Sequence, residues 1–495
     1  MKIILRADGN ASIGFGHLMR TLAFSVNIRD QADFLLLIRN PDALAIEACA
    51  NYSVQYQDIS AITFENEAEF VASQSTGKSL VFLDGYSFDE AYQKKIKESG
   101  CFLVCMDDHQ DRKYLADCII NVAELASPSL VLKPISSKLV FGFNYALIRP
   151  EFTTTQFPDK NLKQVFICFG GGKETLPLIR KSVQAILQTN IYFTKILIVA
   201  NKILLEEIQK IISEEKSHER FELHHSLKAS EMADVLRKSS LAICSSSTIA
   251  LECRAMNLPA VCGYYVDNQI NIYNNLCIKG EICPAGNFNE TTSSQLSELI
   301  LQANETAVSP KQSIFNLNEI QKNYIKLLKA WEIEMDFSLR KASIEDSDLY
   351  LQWANHPDVR RNAILSEPIL KDNHEKWFSS KVKNETALLL IAQWQGNSIG
   401  QVRFDLCDDI WEIDYSVDSN FRGKGFGDLL IRKGMQKLLE RERKDIIVTG
   451  LVKLDNHASN QVFTKLHFIK QQPEVRSGVE LNKFSLRLST QFLYL

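Results

Sequence analysis

The sequence predicts an α/β protein in which two parallel-sheet domains are followed by a smaller α+β domain. Apolar segments alternate with helical segments over the first 150 residues, and the alternation restarts after a polar segment near residue 158. A third pattern, with an antiparallel strand pair, begins near residue 337. Alternating strands and helices are typical of parallel sheets covered by helices. We therefore expect domains at 1–155, 156–310 and 337–495, with a closing helix and linker at 311–336.

Composition excludes several classes of protein. The chain of 495 residues has 45% hydrophobic residues and a net charge of −4, and neither the first 336 residues nor the rest carries the basic excess of a nucleic-acid binder. Arg6 and Asp8 interrupt the apolar N-terminal run, and no apolar segment approaches membrane-spanning length. The eleven cysteines are scattered, and many lie in apolar runs, which favours free thiols in a reducing cytosol. The nine histidines show no metal-ligand spacing, so we expect no metal site. Together these observations predict a cytoplasmic protein that binds neither a membrane nor a nucleic acid.

In the first predicted domain, polar residues follow the strands. The strands are predicted at Met1–Leu5, Asp33–Ile38, Ser79–Asp84, Cys101–Met106 and Cys118–Asn121, and the helices near 17–28, 41–49, 64–73 and 88–98. Asp84 and Tyr86 follow one strand, Asp107 to His109 follow another, and Asn121 ends a third. Each is also explained as a cap of the next helix. Because ligands of such sheets bind beyond the carboxyl ends of the strands, these residues together predict a cleft.

His17 is the first candidate catalytic residue. A loop containing Gly14 and Gly16 delivers it to the first turn of a predicted helix. Free N–H groups and partial positive charge at a helix N-terminus suit a phosphorylated ligand. The same positive end disfavours a protonated imidazole, so His17 is suited to act as a base near pH 7. A histidine at a loop–helix junction is also explained as an ordinary polar surface residue without a catalytic role.

The second predicted domain offers a phosphate site. Its strands are predicted at Gln164–Phe169, Lys195–Ala200, Arg220–His224, Leu241–Cys244 and Pro259–Tyr264. Gly170 to Gly172 follow the first strand, and Ser247 and Thr248 begin a helix that contains Glu252. Glycine loops and hydroxyl groups at helix starts suit a diphosphate, and a carboxylate one turn later suits ribose hydroxyls. Ser247 and Thr248 are equally explained as helix caps, and Glu252 as a solvated helix residue.

Residues 1–285 resemble the UDP-sugar hydrolases of pseudaminic acid biosynthesis, which are related to the lipid II-forming N-acetylglucosaminyltransferases of the glycosyltransferase-B fold. The matching stretches occur in the same order along the whole segment. They are Arg6-x-Asp8, Ile13 to His17 with Arg20, Asp84-x-Tyr86, Gly142-x-x-Tyr145 to Arg149, Gly170-Gly171, Ser247 to Glu252, and Asn268-Gln269.

This resemblance implies two Rossmann-like domains in a glycosyltransferase-B arrangement. It implies release of UDP from UDP-2,4-diacetamido-2,4,6-trideoxy-β-L-altropyranose by attack of water at the anomeric carbon. His17 would activate the water, Tyr86 and Asn268 would lie near the sugar or water, and Glu252 and the Ser247 region would hold the nucleotide. The remaining candidate substrate-binding residues at matched positions are Arg6, Asp8, Gly14, Gly16, Ile148, Gly171, Thr248 and Gln269.

The third predicted domain contains a second glycine-rich turn. Its strands are predicted at Ser338–Ala342, Ala387–Gln393, Ile399–Leu406, Trp411–Val417 and Ile446–Val452, with a helix at Glu345–Asn355. Arg422-x-x-Gly425-x-Gly427 lies between a strand and a long helix that ends near Arg441. Backbone N–H groups in such a turn are free to meet a pyrophosphate.

Residues 338–470 resemble the GCN5-related N-acetyltransferases (GNAT), with the glycine turn as their motif A. Motif B is matched by Asn456-x-x-Ser459-Asn460 and Leu466-His467-Phe468. The resemblance implies acetyl-CoA as co-substrate. The residues expected to hold it are Val417, Arg422, Gly423, Gly425, Gly427, Asn456 and Asn460.

Two positions depart from that family, and the base for the amine stays open. Phe463 stands where a tyrosine often protonates the coenzyme A thiolate, and His467 stands in place of a glycine. Glu412 and Asp414 share one face of a strand, so either can serve as the base, directly or through water. Both are also explained as ordinary polar residues.

Together the two resemblances suggest a fusion of consecutive enzymes. Residues 337–495 would acetylate the 4-amino group of a UDP-amino sugar, and residues 1–310 would then hydrolyse the product. Alternatives for the first part are a glycosyltransferase that uses an alcohol acceptor and a non-catalytic nucleotide-sugar sensor. Alternatives for the second part are acetylation of a protein N-terminus or of an antibiotic amine. The sugar stereochemistry, channelling of the intermediate and the oligomeric state stay open.

Overall fold

A computed structural model describes residues 1–10, 12–75, 78–109, 112–124, 136–153, 163–170, 172–306 and 314–490. The described residues form two compact units. The first comprises those of 1–131 and 139–327, and the second those of 136–138 and 328–490. The first unit contains two parallel sheets, and we call residues 1–153 its first half and residues 163–306 its second half.

The first half is built on a seven-stranded sheet in the order β3-β2-β1-β4-β5-β6-β7. The strands are β1 Lys2–Ala7, β2 Asp33–Ile38, β3 Gln55–Asp58, β4 Ser79–Asp84, β5 Phe102–Met106, β6 Cys118–Asn121 and β7 Lys138–Phe141; the helices are α1 Gly16–Asn27, α2 Ala43–Asn51, α3 Phe64–Gln74 and α4 Glu90–Glu98. The strand order reverses direction between β1 and β4, where Ala7 is in register with Asp84. This reversal is the topological switch point at which parallel sheets bind ligands.

The second half repeats this plan with the order β10-β9-β8-β11-β12-β13. Its strands are β8 Gln164–Cys168, β9 Lys195–Val199, β10 Phe221–His224, β11 Leu241–Ser245, β12 Ala260–Tyr264 and β13 Cys283–Asn287; its helices are α5 Leu176–Gln188, α6 Leu205–Ser213, α7 Ala229–Arg237, α8 Thr248–Ala255, α9 Ile270–Ile278 and α10 Ser293–Thr306. The switch point lies between β8 and β11, where Cys168 is in register with Cys244. The loops after these two strands are therefore neighbours.

Helix α11, Leu317–Met335, contacts the first half, whereas we expected it to close the second. The buried Tyr324 donates a hydrogen bond to the carbonyl of Tyr145 at 2.6 Å, and its ring lies edge-on to Phe24. The amphipathic pattern correctly indicated a covered helical face, but it does not specify the covering element. The helix also continues to Met335, so the expected short linker is helical.

The second unit contains the sheet β14-β15-β16-β17-β18-β21-β19, with β20 paired to β21. Its strands are β14 Phe337–Lys341, β15 Ala387–Trp394, β16 Asn397–Cys407, β17 Ile410–Val417, β18 Ile446–Lys453, β19 Ile469–Lys470, β20 Glu474–Arg476 and β21 Val479–Leu488; its helices are α12 Ser347–Ala354, α13 Pro357–Asn362, α14 Lys371–Val382, α15 Phe426–Glu442 and α16 His457–Lys465. Helices α15 and α16 pack with a large cluster of apolar residues, and α12 and α14 pack with a smaller one. The predicted α/β class, with parallel sheets and a final α+β domain, is confirmed.

Two further observations concern the cysteines and the helices. All eleven cysteines are free, and eight of them are buried, as the apolar runs around many of them predicted. Across the described ranges, no helix is both long enough and apolar enough to cross a bilayer.

Candidate active sites

Two backbone hydrogen bonds close the loop before α1, and His17 follows this loop in the first turn of the helix. The backbone N–H of Gly14 donates to the carbonyl of Asn10 at 2.9 Å, and the N–H of Asn10 returns a bond to Gly14 at 3.2 Å. Gly14 has a φ of +87°, a conformation that favours glycine. A Cβ at Gly16 would meet no atom within 4 Å, so the space above the helix N-terminus is open.

His17 is held by a buried carboxylate. Its Nδ1 lies 2.7 Å from Oδ1 of Asp84, which ends β4 and is fully buried. Burial alone would raise the pKa of Asp84, but the charge and hydrogen bonds of Arg20, together with the hydrogen bond of His17, hold that pKa well below its usual range. An ionised carboxylate only accepts hydrogen bonds, so Nδ1 must carry the proton. Nε2 of His17 therefore keeps its lone pair and is the basic atom.

Arg20 joins two carboxylates beneath His17. Its guanidinium donates to Asp84 at 2.6 and 2.8 Å and to Asp108 at 2.7 and 2.9 Å. Burial would raise the pKa of Asp108 as well, but Arg20 again outweighs it and the pKa is lowered. From the sequence, both residues were placed at the edge of the predicted cleft, and Asp84 also in a stretch that matches the hydrolases, but neither was assigned a role in the site.

Tyr86 connects His17 to the second half. Its ring lies edge-on to the imidazole with 4.6 Å between centroids. The hydroxyl donates to Oδ2 of Asp108 at 3.2 Å and accepts from Nδ2 of Asn268 at 2.7 Å. Burial raises the pKa of Tyr86, which keeps the hydroxyl protonated. The buried Oδ1 of Asn268 has no hydrogen-bond partner in the described part of the chain.

Arg6 lies inside an ion-pair network, whereas we expected it to face the substrate. The side chain is 1% exposed; it binds Asp8 through two bonds, of 2.5 and 2.8 Å, and Glu67 at 2.7 Å. Asp8 also accepts a hydrogen bond from the backbone N–H of Arg39 at 2.8 Å. Because its donors are engaged by carboxylates, Arg6 positions the partly exposed Asp8.

The start of α8 forms the second candidate binding element. Ser247 occupies the N-cap position, but its side chain does not cap the helix; it pairs instead with the hydroxyl of Ser245 at 3.1 Å. Thr248 is the first helical residue, and Gly170, with a φ of +103°, lies in the neighbouring loop after β8. Helix N–H groups left uncapped by Ser247 suit an anionic ligand.

Glu252 is 2% exposed and shares its Oε1 with Arg149, whose Nε and Nη2 lie 2.8 and 2.7 Å away. Burial raises the pKa of Glu252 despite this partner.

Gln269 is buried, and its Oε1 accepts from the N–H of Tyr265 at 3.1 Å. Ile148 is 1% exposed and belongs to the core. Gln269 and Ile148 therefore stabilise the fold around the site, and Gly171 lies outside the described residues.

In the second unit, β17 and β18 separate at a defined point. Their parallel register runs from Ile410–Ile447 to Ile413–Gly450. Beyond it, β17 stays paired with β16 as far as Val417, while β18 continues along β21 as far as Lys453. The two strands therefore diverge and open a gap beside residues 414–417.

The glycine turn lies at the end of this gap. Gly423 and Gly425 have φ values of +75° and +87°, and a Cβ at either would meet no atom within 4 Å. Gly425 is the N-cap of the 17-residue helix α15 and provides no capping side chain. Arg422 donates to the carbonyl of Val417 at 2.9 Å and to Asp358 at 2.8 Å. It anchors the turn to the strand end, and the helix N-terminus stays open to a phosphate.

Helix α16 is fixed by its two asparagines. Asn456 caps it by accepting from the N–H of Ser459 at 3.2 Å. Asn460 donates to the carbonyls of Lys453 and Asn456 at 3.0 and 2.8 Å, and accepts from Asn482 at 2.7 Å. Asn456 thus fixes the start of the helix, and Asn460 holds the helix against β18 and β21.

Phe463 fills a core position. It is 2% exposed and packs against Phe468 and Phe484. The hydroxyls of Tyr415 and Ser459 lie 3.1 Å from each other on the same side of the sheet as Phe463. Neither hydroxyl was predicted from the sequence as a site group.

Glu412 and Asp414 share a strand face, but their surroundings differ. Glu412 is bound by both terminal nitrogens of Arg476, at 2.8 and 2.7 Å. Asp414 is exposed beside the strand gap, and its Oδ2 accepts from Gln401 at 3.0 Å. Asp414 therefore retains more accessible lone pairs for a proton.

Comparisons with known proteins agree with this division. Residues 336–469 match the model of the acetyltransferase (GNAT) domain, so this part of the chain is a GNAT acetyltransferase domain, which confirms the predicted resemblance. A UDP-2,4-diacetamido-2,4,6-trideoxy-β-L-altropyranose hydrolase from Campylobacter jejuni is 26% identical over 287 residues, which cover 57% of this chain and 97% of that protein. An uncharacterised protein of Methanocaldococcus jannaschii is 21% identical over 418 residues, which cover 81% of this chain and 82% of that protein.

Solved structures similar to this chain include acetyltransferases. One is the RimL ribosomal L7/L12 α-N-protein acetyltransferase with coenzyme A, which is 16% identical with a TM-score of 0.28 and covers 31% of this chain and 95% of that chain. Another is the spermidine N-acetyltransferase of Vibrio cholerae with coenzyme A and spermine, which is 14% identical with a TM-score of 0.29 and covers 32% of this chain and 98% of that chain.

Proposed function

We propose that the chain is a bifunctional enzyme of nucleotide-sugar metabolism. The first unit would hydrolyse UDP-2,4-diacetamido-2,4,6-trideoxy-β-L-altropyranose to UDP and the free sugar. The second would transfer an acetyl group to the 4-amino group of the preceding UDP-amino sugar. The observation that carries the proposal is the His17–Asp84 pair, which leaves a basic Nε2 on the first turn of α1.

In the hydrolytic step, Nε2 of His17 takes a proton from water as the water oxygen attacks the anomeric carbon. The bond between that carbon and the phosphate oxygen breaks, and UDP leaves as an anion. The carboxylate of Asp84 stabilises the imidazolium that forms. Uncapped N–H groups at the start of α8 stabilise the leaving diphosphate.

A glycosyltransferase-B arrangement of the two halves is part of this proposal. Each sheet has its switch point beside a glycine-containing loop and a helix N-terminus. Asn268 of the second half reaches Tyr86 of the first, which lies against His17. A nucleotide bound at α8 would thus present its sugar to a base carried by the other half.

In the acetyl-transfer step, we assign the glycine turn before α15 to the pyrophosphate of acetyl-CoA. The gap between β17 and β18 would accept the pantetheine arm, and the thioester supplies the acetyl group. Asp414 removes a proton from the amine, directly or through water, as its nitrogen bonds to the acetyl carbon. The C–S bond breaks, and the thiolate leaves on coenzyme A.

The chemistry of the two substrates sets the order of the steps. The hydrolase substrate carries two acetamido groups, so its amine must be acetylated before hydrolysis. The Methanocaldococcus relative supports a linked pair of units, because its match covers a larger share of this chain than either unit alone.

The test uses the intact chain with the UDP-4-amino sugar, acetyl-CoA and water. We expect release of coenzyme A thiol followed by release of UDP. His17→Ala should abolish UDP release and leave thiol release intact. UDP release that requires an added alcohol would indicate a glycosyltransferase, and binding without UDP release would indicate a sensor. Thiol release only with peptide or aminoglycoside amines would overturn the UDP-amino sugar as the substrate of the acetyltransferase.

A further inference from the structure

A row of asparagine side chains on one side of α9 docks onto the first half. Asn268 lies in the turn before the helix, and Asn271 and Asn275 lie within it. Spacings of three and four residues bring side chains to one helical face. We call these three residues the asparagine row.

Each member of the row contacts the first half just beyond a different strand. Asn268 donates to the hydroxyl of Tyr86 after β4, and Asn271 donates to the carbonyl of Asp108 after β5 at 3.1 Å. Asn275 pairs with both backbone groups of Glu124 after β6: it accepts from the N–H at 2.9 Å and donates to the carbonyl at 3.2 Å. The row therefore spans three adjacent strand ends.

Neutral amides suit a contact that forms and separates. A hydrogen bond exchanged with water contributes modestly to stability, so such contacts reopen easily. Asn275 is only 7% exposed in the docked arrangement, where its amide bonds to the backbone of Glu124 and to the carbonyl of Asn271. The ion pair of Lys279 with Glu124 at 2.6 Å lies at the more exposed rim and contributes less.

The row fixes where α9 lies relative to His17. Asn271 and Asn275 contact the first half on the same side of α9 from which Asn268 reaches Tyr86. The ring of Tyr86 lies against the imidazole of His17. The proposed nucleotide site at α8 does not include Asn271 or Asn275.

We propose that Asn271 and Asn275 are positioning residues for hydrolysis, which bring the two halves into the register that places Asn268 and Tyr86 over His17. This inference rests on the proposed hydrolase function. Asn271 and Asn275 lie outside the proposed nucleotide site, so their loss should lower turnover and leave UDP affinity unchanged.

The experiment compares Asn271→Ala and Asn275→Ala with Asn274→Ala, which changes an exposed asparagine of the same helix. In the two row variants we expect kcat for UDP release to fall about tenfold to a hundredfold, with Kd for UDP within about threefold of the parent value. Asn275→Asp keeps the acceptor and loses the donor, so its kcat should lie between those of the parent and the alanine variant. Asn274→Ala should retain the parent kcat.

Amide hydrogen exchange provides a second readout that does not require hydrolysis. The N–H of Glu124 is bonded to Asn275, so its exchange should be slow in the parent chain and in Asn274→Ala and faster in Asn275→Ala. Parent-like kcat and exchange in both row variants would overturn the inference. A parallel loss of kcat, UDP affinity and melting temperature would also overturn it, as a purely structural effect. A parent chain that releases no UDP would refute the hydrolase, and the exchange pattern would still decide whether the row registers the halves.

Discussion

His17 and Asp84 lie 67 residues apart in the chain, and Nδ1 of the histidine is 2.7 Å from Oδ1 of the aspartate. They meet because β1 and β4 are neighbours at the switch point and Ala7 is in register with Asp84. The fold thus places a buried, ionised carboxylate directly against the first turn of α1. This contact fixes which nitrogen of the imidazole is basic.

Replacing Asp84 by Asn tests that tautomer. The amide can donate to Nδ1, which would move the proton to Nε2 and remove the base. We expect kcat for UDP release to fall about 10²- to 10⁴-fold with little change in UDP affinity. Asp89→Asn, which alters only the cap of α4, should leave kcat unchanged. Equal kcat values for the parent chain and Asp84→Asn would contradict the assigned tautomer.

Acid should destabilise the first unit through Asp84 and Asp108. The folded state lowers the pKa of both carboxyls, so their stabilisation is complete above the unfolded pKa of about 3.9 and is lost as the pH falls through the folded values. Melting temperatures measured from pH 7 down to pH 2 should fall steeply below about pH 4. A flat profile over this range would contradict the lowered pKa values.

Arg20→Met should destabilise the chain at pH 7 by about 3–5 kcal/mol, because it leaves two buried carboxylates uncompensated. Protonation would relieve that repulsion, so the variant should lose less stability on acidification than the parent. Arg29→Met removes an exposed arginine of the same segment and is the matched control. Equal pH profiles for the parent and Arg20→Met would show that Arg20 does not hold the carboxylates ionised.

Gly425→Ala tests the turn before α15. A Cβ at a φ of +87° costs about 1–2 kcal/mol and occupies the space proposed for phosphate. We expect KM for acetyl-CoA to rise about tenfold or more, with UDP release from the acetylated substrate unchanged. Gly478→Ala imposes a similar strain at a φ of +76° in the turn between β20 and β21. A similar rise in KM from Gly478→Ala would point to general destabilisation.

Asp414→Asn and Glu412→Gln separate the two candidate bases. Loss of a general base lowers turnover about 10²- to 10⁴-fold, and we expect this for Asp414→Asn. Glu412→Gln should have a smaller effect on turnover, because its carboxylate is already bound by Arg476. Rates of thiol release at saturating substrates measure both effects, and the reverse order would assign the base to Glu412.

Apolar runs in the sequence were sufficient to predict most of the parallel strands. Ser79–Asp84 and Cys118–Asn121 have the bounds that we predicted. Strand β3, Gln55–Asp58, was missed because all four of its side chains are exposed at the sheet edge and no apolar run marks it. Helix α14 was missed because only His374 and Phe378 of its twelve residues are buried.

The candidate sites were only partly predictable for a related reason. His17 and the glycine turns carry local signals, a loop followed by a helix N-terminus. The grouping of Asp84, Arg20 and Asp108 depends on the order of strands in the sheet, which periodicity does not give. Arg6 was misplaced because the matched stretch Arg6-x-Asp8 does not tell which side chains of the strand are buried.

The most direct test of the account is UDP release from UDP-2,4-diacetamido-2,4,6-trideoxy-β-L-altropyranose by the intact chain and by His17→Ala. Both proteins should bind UDP and show similar melting temperatures. We predict that the parent releases UDP in water without any alcohol acceptor and that the variant releases none above background. UDP release by the variant at the parent rate would contradict the assignment of His17 as the base.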